Sequence, residues 1–415
     1  MEFKFYGGAS EVGRSAILFK SQKSIMMDFG VKIDHKAEYP IAVPHVDAVV
    51  LSHAHLDHSG SLPAIYNGAL VPTFGTEPTL DISELLLKDS MKLARVQHLK
   101  QPFHKQQLRT FENHYISRGY SQRVEFGGTG IEFYDAGHIC GSAVTLLDTG
   151  STRVVYTGDF KLSEQYMHKG AEIVKSDVLV IESTYATREH PDRRELILKF
   201  IDNIKAVLDS NGIALVPVFA VGRSQEVLTM LYEHNLADFV HLDGMAREAT
   251  SIVLKNPSFI RNSDKLKKAV QASSTISEHK DRMEALEGPS IILTTAGMLN
   301  GGPVLSYITQ LDKNSVIMLT GYQVEGTNGR MLLDKHKVAI DGKIVSIGNE
   351  VQYYDFSAHA GRSDLYRYVK SSSPETVICV HGDSENASDF AESLKLEGFD
   401  AHAPKVGDTI KLDRK

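Results

Sequence analysis

The chain has 415 residues, 42% of them hydrophobic and 23% charged, the balance of a soluble globular protein and more chain than one hydrophobic core usually serves. Its formal charge of −7 excludes a general nucleic-acid coat, but not a nuclease whose field bound cations invert at one site. Two cysteines, Cys140 and Cys379, exclude a disulfide framework and fit a reducing cytoplasm, and the absence of a signal-like or bilayer-spanning apolar run predicts no membrane association.

Taken in order, the first part of the chain is rich in short β-like runs, at residues 4–6, 15–20, 24–27 and 48–51, punctuated by turn residues. The spacing of Leu85, Leu86, Leu87, Met91 and Ala94 predicts a helix over 77–99. Strands are then expected at 131–135, 143–148, 153–156 and 178–181. From about Asp192 helices alternate with strands: helix 195–208, strand 213–218, helix 224–232 and strand 239–242, with further strands at 290–293 and 315–319. That rhythm predicts a parallel α/β sheet. After Val351 come another strand, a helix near 363–368, a strand at 376–380 and a last helix near 385–396.

The strongest chemical signal is His53-Ala54-His55-Leu56-Asp57-His58, directly after the apolar run Val49-Val50-Leu51. Zinc takes nitrogen and oxygen ligands that converge from a rigid edge, and a loop closing a strand can aim four such side chains at two ions. His138, Asp159 and His381 each follow a β-like run and share that address. Singly they would be unremarkable strand-end residues; together with His53 to His58 they read as one ligand set.

The series Asp28, His53 to His58, His138, Asp159 resembles that of metallo-β-lactamase-fold hydrolases, whose fold is an αββα sandwich with metals at one edge. Glu182 in Ile-Glu-Ser-Thr-Tyr, His359 in Phe-Ser-Ala-His-Ala and His381 in Val-His-Gly resemble the additional motifs of the β-CASP nucleases. Pro217 to Arg223, and Gly321-Tyr322-Gln323 to Gly326-Thr327, resemble further blocks of that group. The likeness spans nearly the whole chain and is nearest to cleavage-and-polyadenylation-type and archaeal members, with RNase J more distant.

The resemblance implies a metallo-β-lactamase domain at 1–185, an inserted α/β β-CASP domain at 186–350, and a return to the first domain at 351–415, with the active site in a cleft. It implies two zinc ions per chain, with manganese as an alternative. One ion would take His53, His55 and His138, the other Asp57, His58 and His381. Asp159 would bridge them together with a hydroxide that attacks single-stranded RNA, and Asp28 would orient a ligating histidine. Asp57, Glu182 and His359 form the catalytic group, with His359 as general acid and Glu182 as its partner.

Arg223, Gly297, Tyr322, Gln323, Arg330, Ser357 and Ala358 are substrate-binding candidates, from arginine charge, glycine permissiveness and helix-start position. Tyr185, Phe219, Tyr322 and Phe356 lie beside these motifs, where rings either stack on bases or pack in the core. A homodimer and protein partners in RNA processing are further implications. Three rivals are a small-molecule hydrolase of the superfamily, which leaves Glu182, His359 and the segment 186–350 unexplained, a DNA nuclease of the same group, and a scaffold subunit without catalysis. Endonuclease and 5′-to-3′ exonuclease modes share the same ligands.

Overall fold

The computed structural model describes residues 1–33, 36–96, 99–100 and 102–413. They form two compact units. The first comprises Met1–Glu164, Lys169–Glu189 and Ala358–Lys415, the second Gln165–His168 and His190–Ser357. The chain thus leaves the first unit after Glu189 and re-enters it at Ala358, where the sequence suggested 185 and 351.

The first unit is built on two seven-stranded sheets. One runs in the order Thr409–Lys411, Glu2–Gly7, Ala16–Lys20, Ser24–Met27, Ala48–Val50, Thr73–Gly75, Tyr115–Ser117. The other runs Asp400–His402, Thr376–Val380, Val178–Glu182, Arg153–Tyr156, Ala143–Asp148, Thr129–Asp135, Val124–Phe126. Side chains alternate across a strand, so each apolar strand supplies two cores. Ile17 and Phe19 enter the core between the sheets with Val154 and Tyr156 of the other sheet. Their neighbours Ala16 and Leu18 face outward onto Leu87, Met91, Leu108 and Phe111 of helices Glu77–Val96 and Lys105–His114. Val155 and Leu179 likewise face outward, onto Leu365, Tyr368, Phe390 and Leu394 of helices Arg362–Ser372 and Ser384–Leu396. The result is a four-layer αββα sandwich.

Strand direction then decides where the chemistry goes. Ser24–Met27 is parallel to Ala48–Val50, and Arg153–Tyr156, Val178–Glu182 and Thr376–Val380 are mutually parallel. Thr129–Asp135 is antiparallel to Ala143–Asp148, which is antiparallel to Arg153–Tyr156, so it runs with the latter. Asp28, His53, His138, Asp159, Glu182 and His381 therefore all leave carboxyl-terminal strand ends, and the hydrogen bond from Ala143 N–H to the Ser52 carbonyl (2.8 Å) joins the two sheets there.

The second unit carries an all-parallel six-stranded sheet, in the order Ser274–Thr275, Val240–Asp243, Ser290–Thr294, Ile213–Pro217, Val316–Leu319, Glu350–Tyr353. Its central strands are buried at every position, as helices covering both faces require.

Several elements differ from the sequence expectation. The helix predicted over 77–99 ends at Val96, and residues 97 and 98 lie outside the described set. Leu56–Ser59, expected as loop, is one helical turn. Among the described residues no helix is long and apolar enough to cross a membrane.

Candidate metal centre

A single turn of helix cannot hold itself together in water, because nucleation costs more than one hydrogen bond returns. Leu56–Ser59 is instead sewn to the chain beside it. Val31 N–H donates to the Leu56 carbonyl (2.9 Å), Phe29 N–H to His58 (2.8 Å) and Ser15 N–H to Asp57 (2.8 Å). Gly30 makes this approach feasible, since a Cβ there would lie 1.8 Å from the Asp57 carbonyl oxygen. The turn carries Asp57 and His58 at its middle two positions and leaves His53 and His55 on the strand side.

The ligand-type atoms converge in three groups that share Asp159: His53, His55, His138 and Asp159; Asp57, His58, His381 and Asp159; and, smaller, Asp159, Glu182 and His359. In the first, His55 Nδ1 lies 3.2 Å from His53 Nε2 and 3.1 Å from His138 Nε2. Two nitrogens on one tetrahedral zinc, each at about 2.0–2.1 Å, stand roughly 3.3 Å apart. In the second, His381 Nε2 is 3.3 Å from Asp57 Oδ2, and His58 Nε2 is 3.2 Å from Asp159 Oδ1. Those last two atoms are fully buried and lie outside hydrogen-bond geometry, and His381 Nδ1 stands 3.0 Å from the same Asp159 oxygen. Buried ring nitrogens crowded against carboxylate oxygens at such range are costly unless a proton or a metal cation joins them. The donor set therefore fits metal ions.

Asp28 governs which nitrogen each ring presents. Its Oδ2 accepts from His58 Nδ1 (2.6 Å), Tyr156 Oη (2.7 Å) and Ser52 Oγ (2.6 Å), while Oδ1 accepts from Ser52 N–H (2.7 Å). With its proton committed to Asp28, Ser52 Oγ accepts from His53 Nδ1 at 3.1 Å. One carboxylate thus sets His58 directly and His53 through a serine, turning both Nε2 atoms toward the ligand groups. His138 is set the same way, its Nδ1 donating to the Ala358 carbonyl (3.0 Å). Asp28 and His381 both hold left-handed backbone, with φ of 57° and 48°. Such conformations cost roughly 1–3 kcal/mol and cluster at functional sites.

Beside the ligands sits a histidine–carboxylate pair. His359 Nδ1 donates to Glu182 Oε2 at 2.9 Å. Glu182 is buried, accepting also from Thr184 Oγ1 on Oε2 (2.7 Å) and from Phe160 N–H on Oε1 (2.8 Å). With its oxygens engaged by donors, Glu182 is built to orient His359 rather than to bind a cation. Asp57 and His359 keep 33% and 22% of their side chains exposed where Asp159 keeps 2%, so the site is open to solvent on their side.

Charges follow this layout. Burial holds His53, His55 and His138 below the ordinary histidine pKa, with neighbouring rings adding to the effect. At His58 burial acts the same way but is outweighed by Asp159, Asp57 and Asp28, and the pKa lies well above the usual value. His381 is pushed up to about 10, as Asp159 and Asp57 override burial. At His359 burial is overridden by Glu182 and Asp159, which raise its pKa and favour the protonated ring.

The other candidates are distributed as follows. Ala358 spends its carbonyl on His138. In the second unit, Gln323 is buried, donating to the Gly297 and Gly321 carbonyls, and Gly297 packs against the Val218–Phe219 backbone. Arg330 is paired with Asp334 and Glu325 at the surface. Arg223 and Ser357 are buried. Of the four aromatics, Phe356 and Tyr185 are buried, whereas Phe219 and Tyr322 are 38% and 46% exposed. Ser52, Tyr156, Thr184 and Lys161 were not singled out from the sequence. All four lie within three residues of Asp159, Glu182 or His53, and that adjacency is what could have drawn attention to them.

A metallo-β-lactamase superfamily domain matches residues 17–187, a Beta-Casp domain residues 224–332, and a Zn-dependent metallo-hydrolase RNA specificity domain residues 344–404. The probable RNase MJ4 of Methanocaldococcus jannaschii is 40% identical over 99% of this chain and 100% of its own length. RNase aCSPSF2 of Saccharolobus solfataricus is 38% identical over 99% of this chain and 85% of its own. Among solved structures, a protein of unknown function from Enterococcus faecalis V583 shares the fold with a TM-score of 0.65, at 16% identity over 99% of each chain. With its domains matched in this order and a relative similar along its full length, the chain belongs to the β-CASP family of metal-dependent hydrolases with the metallo-β-lactamase fold.

Proposed function

We propose that the chain is a two-zinc ribonuclease that hydrolyses phosphodiester bonds of single-stranded RNA, as an endonuclease, a 5′-to-3′ exonuclease or both. The observation that carries this reading is the His359–Glu182 pair set at 2.9 Å beside two groups of metal-ligand atoms. A small-molecule hydrolase with a good leaving group has no need of that pair, and the relatives named RNases match along the chain. His53, His55 and His138 would hold one ion and Asp57, His58 and His381 the other, with Asp159 within reach of both groups; manganese could replace zinc in such a set. Bound there, the ions supply an acidified water and a counter-charge for the phosphodiester.

The chain's own residues do the rest. Glu182 keeps the Nδ1–H tautomer of His359 and holds the ring charged, so that Nε2 carries the proton needed by the departing ribose oxygen, a poor leaving group. Asp57 and His359, both part-exposed, flank the path of the scissile phosphate. Arg223, Gly297, Tyr322, Gln323, Arg330, Ser357 and Ala358 are the proposed contacts for the rest of the strand, Tyr322 being 46% exposed.

The test is single-stranded RNA labelled at its 5′ end, incubated with wild type and His359→Ala, with labelled products sized over time. We expect cleavage by wild type and a loss of roughly 10²–10⁴-fold in the variant. Intermediate-length labelled fragments identify an endonuclease, and immediate labelled mononucleotide a 5′-to-3′ exonuclease. Equal rates on DNA of the same sequence, or full activity in the variant, would overturn the proposal.

A further inference from the structure

Lys161 is 95% buried, its relative exposure being 5%, yet lies in the sandwich unit two residues beyond Asp159. Burying an ammonium costs free energy that an apolar side chain of the same size would avoid, so what it holds in place is informative. Its Nζ donates to the backbone carbonyl of His359 at 2.9 Å. Its own backbone is fixed, with N–H donating to the Ala136 carbonyl (3.0 Å) and the carbonyl accepting from Ala171 N–H (2.7 Å).

Three consecutive residues therefore tie the metal ligands to the histidine. Asp159 belongs to both of the larger ligand groups. Phe160 N–H holds Glu182 Oε1, whose other oxygen holds the His359 ring. Lys161 holds the His359 carbonyl. On its other side the loop is tied through Ala358, whose carbonyl accepts from the ligand His138. The ring and the backbone of His359 are thus both referenced to one short segment, 159–161.

We propose that Lys161 is a positioning residue for His359, fixing the backbone from which the imidazole reaches the leaving oxygen. The inference rests on the reading of His359 as general acid. It assigns Lys161 no contact with substrate and no proton transfer. A misplacement of about 1 Å at a reacting group can cost on the order of 10²-fold in rate, so the effect is measurable.

The test compares two substrates under metal-saturated conditions, with bound metal measured for every variant. RNA loses a ribose oxygen that needs a proton; bis(4-nitrophenyl) phosphate loses an aryl oxide that departs without one. For Lys161→Met we expect kcat on RNA to fall roughly 10- to 100-fold, with the aryl diester within about twofold of wild type. Lys161→Ala, which also removes the donor, is read in the same way should the methionine variant fail to fold. His359→Ala is the reference. If it too spares the aryl diester while Lys161→Met lowers both substrates equally, or neither, Lys161 does not act through His359 and the inference alone is overturned. If His359→Ala lowers both substrates equally, the general-acid reading fails first and the inference falls with it.

Discussion

The histidine tautomers in this site are set by a short relay rather than by each ring's own surroundings. Asp28 reaches His58 directly and His53 only through Ser52 Oγ. Ser52→Ala therefore removes the acceptor of His53 Nδ1 and leaves the His58 bond in place. We expect one of the two proposed ions to bind about 10- to 100-fold more weakly while the other is unchanged. Competition with a chromophoric chelator resolves the two, and equal weakening of both would contradict the relay. Asp28→Asn, tolerated in left-handed backbone, should weaken both. The contrast also explains what was legible. His53, His55, Asp57 and His58 announce themselves because four ligand-type residues fall within six positions. Tyr156, which donates to Asp28 across 128 positions, and Lys161, which donates to His359 across 198, have no local pattern to reveal them. Their roles exist only once the sheets have brought distant strand ends together.

Elements were legible where burial imposes a period. Ser24–Met27, Ala143–Asp148, Arg153–Tyr156 and Thr376–Val380 coincide with the expected runs, because each is mostly apolar and almost wholly buried. Thr73–Gly75 and Tyr115–Ser117 were not read, since three residues are too few to show alternation and their strand state comes from pairing with each other and with Ala48–Val50. The turn Leu56–Ser59 escaped for the same kind of reason: it is held by backbone bonds from Ser15, Phe29 and Val31, not by helix propensity. That dependence makes Gly30 the sensitive position. Its φ is not unusual, so the obstacle is space alone, with the Asp57 carbonyl oxygen 1.8 Å and carbon 2.1 Å from any added Cβ. Gly30→Ala must push the turn away, and should cost about 1–3 kcal/mol of stability together with loss of metal at the Asp57 and His58 group. Thermal denaturation and metal analysis of the variant check both, and normal metal content would show that the turn is free to shift.

At the scale of the molecule, the ligands divide between the sheets of one unit and are absent from the other. His53, His55, Asp57 and His58 follow a strand of the first sheet, and His138, Asp159 and His381 follow strands of the second. Bound ions would then act as rivets across the sandwich, adding to the apolar core between the sheets. The unit Gln165–His168 with His190–Ser357 has its own core, around Leu215, Ile292, Tyr307 and Ile317, and supplies none of the seven candidate ligands. Removing metal should therefore destabilise one unit and not the other. A ligand at about 1,000 times its dissociation constant contributes about 4 kcal/mol per site, and in a unit of this size each kcal/mol moves the midpoint by roughly 2–4 °C. Calorimetry of the metal-loaded and chelated protein should show one transition falling by on the order of 10 °C or more while a second keeps its midpoint. A single transition that moves as one would show that the two units unfold together, and a pair that both stay in place would show that the ligand groups hold no ion that matters to the fold.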